Sequence, residues 1–413
     1  MSAALIYAIS AATIACILFR PYRWPEAVWA AAAAALLVLC GLLPAPAAGQ
    51  AIARGTDVYL FLAGMMLLAE LARCEGVFDW LAGHAVTASR RSPSRLFAIL
   101  YGVGVVVTVF LSNDATAVVL TPAVYAAVRK ARTEPLPHLL GCALVANAAS
   151  FVLPISNPAN LVVYGRQIPA LVPWLRLFLL PSGLAIAATF VALRWLSRAE
   201  LGGMLPEDVE SSPLSEEGRR ALWGLGFGGA VMIYASSRGM NLGVPTCAAA
   251  AAAVLITRGR HPRAVAAVGR GVTWSVLPLV AGLFVMVEAL GRAGALRLVE
   301  QALGRLAPAA GGALAAAFGA AALSNVMNNL PSGLLAGSAL QAMTLPQHLR
   351  QAVTIGVDLG PNLSIYGSLA TILWLVALRR EGAHVDGWTF FKAGVMAMPP
   401  ALLLATAAVM AAR

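Results

Sequence analysis

The stretch FLSNDATAVVLTP, residues 110–122, decides the fold. It places Ser112, Asn113 and Asp114 directly after the apolar run 96–111, although these residue types support helices poorly. A soluble core strand has no need of them, and an ionised Asp in the middle of a membrane helix costs about 3 kcal/mol. An interrupted membrane segment, in which irregular backbone lines a polar site, explains them best.

The composition predicts an all-α polytopic membrane protein. Of the 413 residues, 60% are hydrophobic and 11% are charged, and the mean hydropathy is +0.79, far from the usual balance of globular proteins. Apolar stretches long enough to cross a hydrocarbon core of about 30 Å recur along the chain. The first of them, 5–19, has no basic segment before it, so we predict a retained helix and not a cleaved signal.

The formal charge of +11 does not indicate nucleic-acid binding. The basic residues are spread among short loops, without the aromatic-studded basic face of such proteins. The cysteines are scattered and form no CxxC or metal-ligand spacing, so we interpret them as helix-packing residues and predict no cofactor and no metal. They are Cys16, Cys40, Cys74, Cys142 and Cys247.

Three pairs of similar stretches indicate an internal duplication. Residues 62–78 parallel 280–296 at an offset of 218, Ser112-Asn113 parallels Ser324-Asn325 at 212, and 147–163 parallel 358–374 at 211. Their common order favours duplication over chance. A polar segment, 198–218, is the predicted cytoplasmic linker between a first repeat, 1–197, and a second repeat, 219–413.

Each repeat is predicted to make five crossings, which gives about 10 transmembrane helices in all. Each also contains a re-entrant hairpin, near 96–130 and 308–342, because arms of about 16 residues are short for a full crossing. A broken helix follows each hairpin, near 137–165 and 347–378. Because five is an odd number, the two repeats are predicted to be inverted relative to each other.

The basic residues predict the orientation. With the N-terminus outside, most lysines and arginines fall in the inner loops, for example Arg90, Arg91, Arg129 and Lys130. This positive-inside bias predicts a multi-pass protein of a bacterial-type plasma (inner) membrane, with both termini periplasmic.

Polar residues gather at the four predicted interruptions, and inverted repeats with broken helices commonly place a binding site there, at the bilayer midplane. The alternative is that Asn and Ser only join helices through hydrogen bonds, but four clusters beside Pro or Gly favour a site. The clusters are Ser112, Asn113, Asp114 and Thr116; Ser156, Asn157 and Asn160; Ser324, Asn325, Asn328 and Asn329; and Asp358, Asn362, Ser364 and Ser368.

Asp114 and Asp358 are the acids inside these interruptions, and we predict that they couple transport to protons. Desolvation favours the protonated form of a buried carboxylate, which lets it bind and release a proton near neutral pH. For Asp358 an alternative is capping of exposed N–H groups. Glu70 and Glu288, with Arg73 and Arg292 close along the chain, are predicted to form structural ion pairs.

At SNDATAVVLTP, SNVMNNLPSG and GVDLGPNLSIYGSLATILW the sequence resembles the arsenite efflux permease (ArsB) family. This family is a branch of the ion transporter superfamily, which also holds NhaD-type sodium/proton antiporters and dicarboxylate symporters. The resemblance covers essentially the whole chain. It implies a non-enzymatic exporter of arsenite and antimonite that takes up protons in exchange. Some relatives attach a soluble ATPase, and since this chain has no Walker motif, any ATP use would come from such a partner.

An uncharged arsenic trihydroxide suits a cage of hydroxyl and amide groups. The predicted substrate-binding residues are Ser112, Asn113, Thr116, Asn157, Asn325, Asn328, Asn329 and Asn362. Dicarboxylate relatives are expected to carry Ser-Asn-Thr at these places, whereas an Asp here would repel a dianion.

Three other functions stay open as alternatives. The same oxygen ligands suit sodium, so a sodium/proton antiporter is the second hypothesis. An intramembrane protease is disfavoured because HExxH is absent and the two acids lack a Gly-x-Gly-Asp setting. A passive channel is disfavoured by the repeated hairpins, which favour alternating access.

Overall fold

The protein is all-helical, as predicted. The structure is a computed structural model that describes residues 2–19, 21–205, 213–259 and 261–412, and no strand occurs among them. The helices of the first half are α1 (Ser2–Phe19), α2 (Glu26–Leu39), α3 (Ala45–Arg54), α4 (Thr56–Cys74), α5 (Val77–Ala88), α6 (Pro93–Leu111), α7 (Asn113–Ala115), a π turn (Thr116–Leu120), α8 (Thr121–Lys130), α9 (Leu136–Ala148), α10 (Pro158–Tyr164) and α11 (Leu171–Leu196).

The second half repeats this order of helices. They are α12 (Glu216–Ser237), α13 (Gly243–Arg258), α14 (Pro262–Gly271), α15 (Val276–Arg292), α16 (Ala295–Leu306), α17 (Gly312–Met327), α18 (Asn329–Ala342), α19 (Gln347–Leu359), α20 (Leu369–Arg380) and α21 (Gly387–Ala411). The repeat boundaries and the inversion of one half relative to the other stay predictions. The predicted linker includes residues 206–212, which lie outside the described residues.

Three short helices were not predicted from the sequence. They are α3, α14 and α16, each too short and too amphipathic to register as an apolar stretch. Helix α3 runs into α4 with a bend of 46°. Helices α5 and α16 each begin after a left-handed glycine, Gly76 (φ 66°) and Gly294 (φ 101°), which matches the offset of 218.

The lengths of the helices set which of them can cross a membrane singly. Within the described ranges, four helical segments are long and apolar enough: α6, α11, Pro262–Arg292 and α21. The bent pair α3–α4 is a fifth when it is counted as one span. Helix α6 has 19 residues, more than the predicted arm of about 16, so ten crossings and two re-entrant hairpins stay predictions.

The chain turns back on itself at Ser112 and at Asn328. The hydroxyls of Thr108 and Thr116 lie 2.8 Å apart, and Ser324 donates to Ser332 at 3.2 Å. Residues eight positions apart on a continuous helix are separated by about 12 Å along its axis, so neither segment is continuous. We call residues 112–116 the first tip and residues 328–332 the second tip.

Both turning points require backbone that non-glycine residues seldom adopt. Ser112 has φ 112° and Asn328 has φ 75°, in the region that glycine favours, at a cost of about 1–3 kcal/mol each.

The two tips correct the predicted alignment of the halves. The turning residues, Ser112 and Asn328, are 216 positions apart, whereas the repeated Ser-Asn dipeptide had suggested 212. Ser324 is therefore the counterpart of Thr108 and lies one turn before the second tip. Because four residues return a helix to nearly the same face, the sequence pattern alone could not distinguish the two registers.

The two halves interlock through close helix pairs, α4 with α13 and α2 with α15. Gly64 lies against the backbone of Thr246, and Gly282 lies against the backbone of Ala30. A Cβ at either glycine would come within 2.8 Å or 2.6 Å of main-chain atoms, respectively.

Polar contacts clamp both ends of the α4–α13 pair. At one end the Asp57 carboxylate accepts from the Gly243 amide at 2.8 Å. At the other end Arg258 holds Glu75 with two hydrogen bonds, one of them at 2.6 Å.

Candidate functional site

Two pairs of consecutive helices are each separated by a short stretch that contains a 3₁₀ turn. Residues 149–157 separate α9 from α10, and residues 360–368 separate α19 from α20; we call these the first break and the second break. Each second part begins with a side-chain cap, because Asn157 Oδ1 accepts from the Ala159 amide at 3.0 Å and Ser368 Oγ accepts from the Thr371 amide at 3.1 Å. Such caps satisfy N–H groups that the interruption exposes.

The broken helices of the two halves contact each other directly. Asn157 Nδ2 donates to Asp358 Oδ1 at 2.8 Å, and Asn147 Nδ2 donates to Asn362 Oδ1 at 3.0 Å. Asn147 also reaches Thr371 Oγ1 at 3.4 Å. All of these residues are buried, so a polar joint between the halves lies inside the protein.

The residues of the joint occupy positions that correspond between the halves at the offset of 211. Asn147 corresponds to Asp358, and Asn157 corresponds to Ser368. Asn157 meets Asp358 directly, while Ser368 reaches Asn147 through Thr371, whose hydroxyl lies 2.5 Å from that of Ser368. Asp358 lies within α19 and accepts from a side chain, so the capping alternative does not describe it.

Each tip is fastened to the break of its own half. Just before the first tip, at the end of α6, the Val109 carbonyl accepts from the Ser156 hydroxyl at 3.0 Å. At the second tip, the Asn329 amide donates to the Gly367 carbonyl at 2.8 Å, and Asn328 Nδ2 donates to the Tyr366 carbonyl at 3.3 Å.

Besides Asn157 and Asn328, three more of the predicted substrate-binding residues make internal hydrogen bonds, and their role in substrate binding stays a prediction. Thr116 pairs with Thr108 and closes the first tip. Asn325 donates to two carbonyls, both at 2.8 Å, and accepts from Ser364 at 2.7 Å, so it ties α17 to the second break. Asn362 donates to the Leu144 carbonyl at 3.0 Å and accepts from Asn147.

Five buried oxygens near the tips and breaks have no hydrogen-bond donor among the described residues. They are Asn113 Oδ1, Asn329 Oδ1, Asn147 Oδ1, Asn160 Oδ1 and Asp358 Oδ2. A buried acceptor left without a donor costs about 1–3 kcal/mol, so such oxygens mark places where a donor or a cation can bind.

Four of these five acceptors form two pairs of equivalent positions. Asn113 and Asn329 correspond at the offset of 216, and Asn147 and Asp358 correspond at 211. Helix α7, with Asn113, contacts α9, with Asn147; likewise α18, with Asn329, contacts α19, with Asp358. In each half, therefore, the acceptor in the tip and the acceptor in the helix before the break lie on neighbouring helices.

Asn147 is absent from the set of site residues predicted from the sequence. The signal that could have found it is its alignment with Asp358 at the offset of 211. Its own helix, α9, is otherwise apolar around it, so nothing local distinguished it from a residue that only joins helices.

A cavity of about 60 Å³ lies beside the first tip. Ser112 and Asp114 line it from the tip, Pro158 lines it from the start of α10, and Glu70 lines it from α4. The Asp114 side chain makes no hydrogen bond within the described part of the chain, and Asp114 is one of the residues that line this cavity. The cavity is large enough for a few water molecules.

The second tip has a smaller and more apolar counterpart. A cavity of about 20 Å³ is lined there by Asn328 and Leu330. Leu330 corresponds to Asp114 at the offset of 216, so only the first tip carries an acid.

The predicted ion pairs of Glu70 and Glu288 are confirmed. Arg73 Nε donates to Glu70 Oε2 at 2.8 Å, and Arg292 Nε donates to Glu288 Oε1 at 2.9 Å. Arg54 at the end of α3 also pairs with Glu288. No group of three or more His, Cys, Asp or Glu side chains able to hold a metal occurs in the described ranges.

Comparison with known proteins confirms the resemblance to the arsenite efflux permeases. An arsenical pump membrane protein of Yersinia enterocolitica is 28% identical over 349 residues, 81% of each chain. One of Escherichia coli is 25% identical over 402 residues, 92% of each chain.

The fold has a relative among solved structures. The crystal structure of the Alcanivorax borkumensis YdaH transporter superposes with a TM-score of 0.57 at 14% identity, covering 88% of this chain and 86% of that one. The family model described as "Citrate transporter" (CitMHS) matches residues 14–371. The chain therefore belongs to the CitMHS family of membrane transporters.

Proposed function

We propose that this protein exports arsenite and antimonite from the cytoplasm in exchange for protons. The observation that carries the proposal is the set of four buried acceptors, Asn113, Asn147, Asn329 and Asp358, at equivalent places in the two halves. An uncharged trihydroxide offers O–H donors and no net charge, which suits acceptors that have no protein donor. The names of the relatives, arsenical pump membrane proteins, support this choice of substrate.

Asp114 is the proposed proton carrier. It lines a cavity, whereas the Asp358 carboxylate takes part in the joint with Asn157. A carboxylate beside the solute can accept either a hydrogen bond from a solute O–H or a proton. The solute and the proton therefore compete for this carboxylate, and transport exchanges one for the other. Asp358 is proposed to bind the solute through Oδ2. Its binding and release of a proton would be linked to the hydrogen bond that Asn157 donates to Oδ1.

The proposed substrate contacts come from the tips and from the breaks. Ser112, Asn113 and Asn329 would contact the solute from the tips, with Asn328 holding the second tip in shape. Asn157 would orient Asp358. Thr116, Asn325 and Asn362 are proposed to keep the tips and breaks in register, in view of their internal hydrogen bonds.

The membrane arrangement belongs to the same proposal. The repeats would be inverted, with the tips re-entrant near the bilayer midplane and with both termini periplasmic at the inner membrane. The one site could then open alternately to the cytoplasm and to the periplasm. A soluble ATPase, where one is attached, would bind on the cytoplasmic side.

Sodium/proton antiport is the second candidate. Carboxylate and amide oxygens are the ligands that hard cations prefer, and the four acceptors supply them. A citrate-like anion is disfavoured, because neither described cavity is lined by lysine or arginine and Asp114 lines the larger one.

Everted membrane vesicles distinguish these functions. In vesicles with an acidified lumen, the proposal predicts that arsenite added outside is taken up and dissipates the pH gradient, while sodium has no effect. Dissipation by sodium without an arsenite effect would support the antiporter. Dissipation by neither would contradict both proposals.

A further inference from the structure

Glu70 and Asp114 line the same cavity from different helices. Glu70 lies on α4, near its end, and Asp114 lies on the first tip. The Glu70 side chain is only 8% exposed, yet its partner Arg73 is 54% exposed. Glu70 is therefore a nearly buried acid that lines the cavity and whose ion-pair partner reaches the surface of the protein.

The carboxylate of Glu70 is held in place on several sides. Arg73 Nη2 donates to Oε1 at 2.5 Å, and Cys74 Sγ lies 3.5 Å from the same oxygen. On the opposite side it rests on Gly271, where an added Cβ would come within 1.7 Å of Oε1. The position is fixed by contacts from both halves of the chain.

The titratable groups around Glu70 are few. Arg73 and Cys74 lie on its own helix, Asp79 on α5 acts on Arg73, and Asp114 lies across the cavity. The segment 271–276 contributes Gly271, Val272, Thr273 and Val276 to the lining, none of which titrates near neutral pH.

The equivalent acid in the second half lacks this setting. Glu288 corresponds to Glu70 at the offset of 218, but it pairs with Arg54 and Arg292 and lines neither described cavity. Its side chain is 20% exposed. Of the two described cavities, only the one beside the first tip is lined both by an acid of a tip and by an acid of a neighbouring helix.

We propose that Glu70 is a second proton-transfer group, which carries the proton between Asp114 and the cytoplasm. The inference rests on the proposed proton-coupled export. The Asp114 O–H bond breaks and its proton passes through water in the cavity to the Glu70 carboxylate, which then gives it to cytoplasmic water. Both carboxylates end ionised, and one proton has moved inward.

Two assays in everted vesicles separate proton release from the rest of transport. The first is arsenite uptake driven by a pH gradient, which requires release of protons on the cytoplasmic side. The second is arsenite counterflow, the exchange of labelled for unlabelled arsenite without a gradient, which does not require it. The variants are Glu70→Gln, Glu70→Asp and, as the matched control, Glu288→Gln.

We expect Glu70→Gln to slow gradient-driven uptake by about a hundredfold, within the range that a positioned proton-transfer group contributes, and to keep counterflow. Glu70→Asp should recover part of the coupled rate, and Glu288→Gln should leave both rates unchanged. Unaltered coupled uptake in Glu70→Gln, or an equal loss of counterflow, would overturn the relay. Absence of arsenite uptake in the wild-type protein would instead overturn the proposed function.

Discussion

Asn157 Nδ2 donates a hydrogen bond to Asp358 Oδ1 at 2.8 Å, and this contact joins the broken helices of the two halves. Both residues are buried, at 1% and 0% exposure. The equivalent joint on the other side, Ser368 to Thr371 to Asn147, is made by neutral groups. Only one of the two equivalent joints contains a carboxylate. We therefore expect the loss of a hydrogen bond in that joint to destabilise the protein more than a loss in the neutral joint.

Replacement of Asn157 by Ala should destabilise the protein by about 1–3 kcal/mol, because it leaves a second oxygen of a buried carboxylate without a donor. Ser368→Ala is the matched control, since Ser368 is also a helix cap, and its loss should be nearer 1 kcal/mol. Thermal unfolding of the purified proteins in detergent measures the difference. Equal losses would show that Asp358 does not depend on Asn157.

Asn113→Ala and Asn329→Ala should each raise the KM for arsenite by up to about tenfold, the effect of one lost hydrogen bond. The reason is that each removes an acceptor that has no donor in the described protein. The control is Ser338→Ala on α18, because the Ser338 hydroxyl is satisfied by the Leu334 carbonyl at 2.8 Å. Concentration dependence of uptake in everted vesicles gives the KM. A change as large in the control variant would argue against specific contacts.

The interlocking of the halves depends on two glycines. Gly64→Ala and Gly282→Ala should each destabilise the protein by about 1–3 kcal/mol through overpacking, since the new methyl meets main-chain atoms of α13 or α2. Gly102→Ala, at a helical site with no atom within 4 Å, should leave the Tm unchanged or raise it slightly. Similar Tm values for all three variants would contradict the close packing.

A variant without cysteines should transport arsenite normally. The cysteines lie on different helices, and only Cys142 is buried, so the proposed contacts are made by oxygen and amide groups. Uptake in everted vesicles from cells with matched protein levels tests this expectation. A correctly folded but inactive cysteine-free variant would point to thiol ligation of arsenic.

The sequence predicted the parts of the fold that depend on local chemistry. Apolar length predicted the helices, and Pro154, Pro158 and Pro361 predicted the breaks, because proline removes a helix hydrogen bond. The ion pair of Glu70 followed from helical spacing. These features need no knowledge of distant contacts.

What the sequence could not predict depends on side-chain partners across the fold. Thr116 lies in the first tip and Asn325 lies in α17, just before the second tip. Their partners, Thr108 and Gly360, take up their hydrogen-bonding groups. Conversely, Asn147 lies in an apolar helix, and only the tertiary structure leaves its oxygen without a donor. The one-turn error at the second tip has the same origin, since local pattern is nearly unchanged by a shift of four residues.

The most direct test of the central claim measures protons and arsenite together in proteoliposomes containing the wild-type protein or Asp114→Asn. The account predicts that the wild-type protein moves protons in a fixed ratio to arsenite. It predicts that Asp114→Asn, whose amide cannot titrate, still exchanges labelled arsenite but moves no protons with it. Proton movement coupled to arsenite at the wild-type ratio in Asp114→Asn would contradict the account.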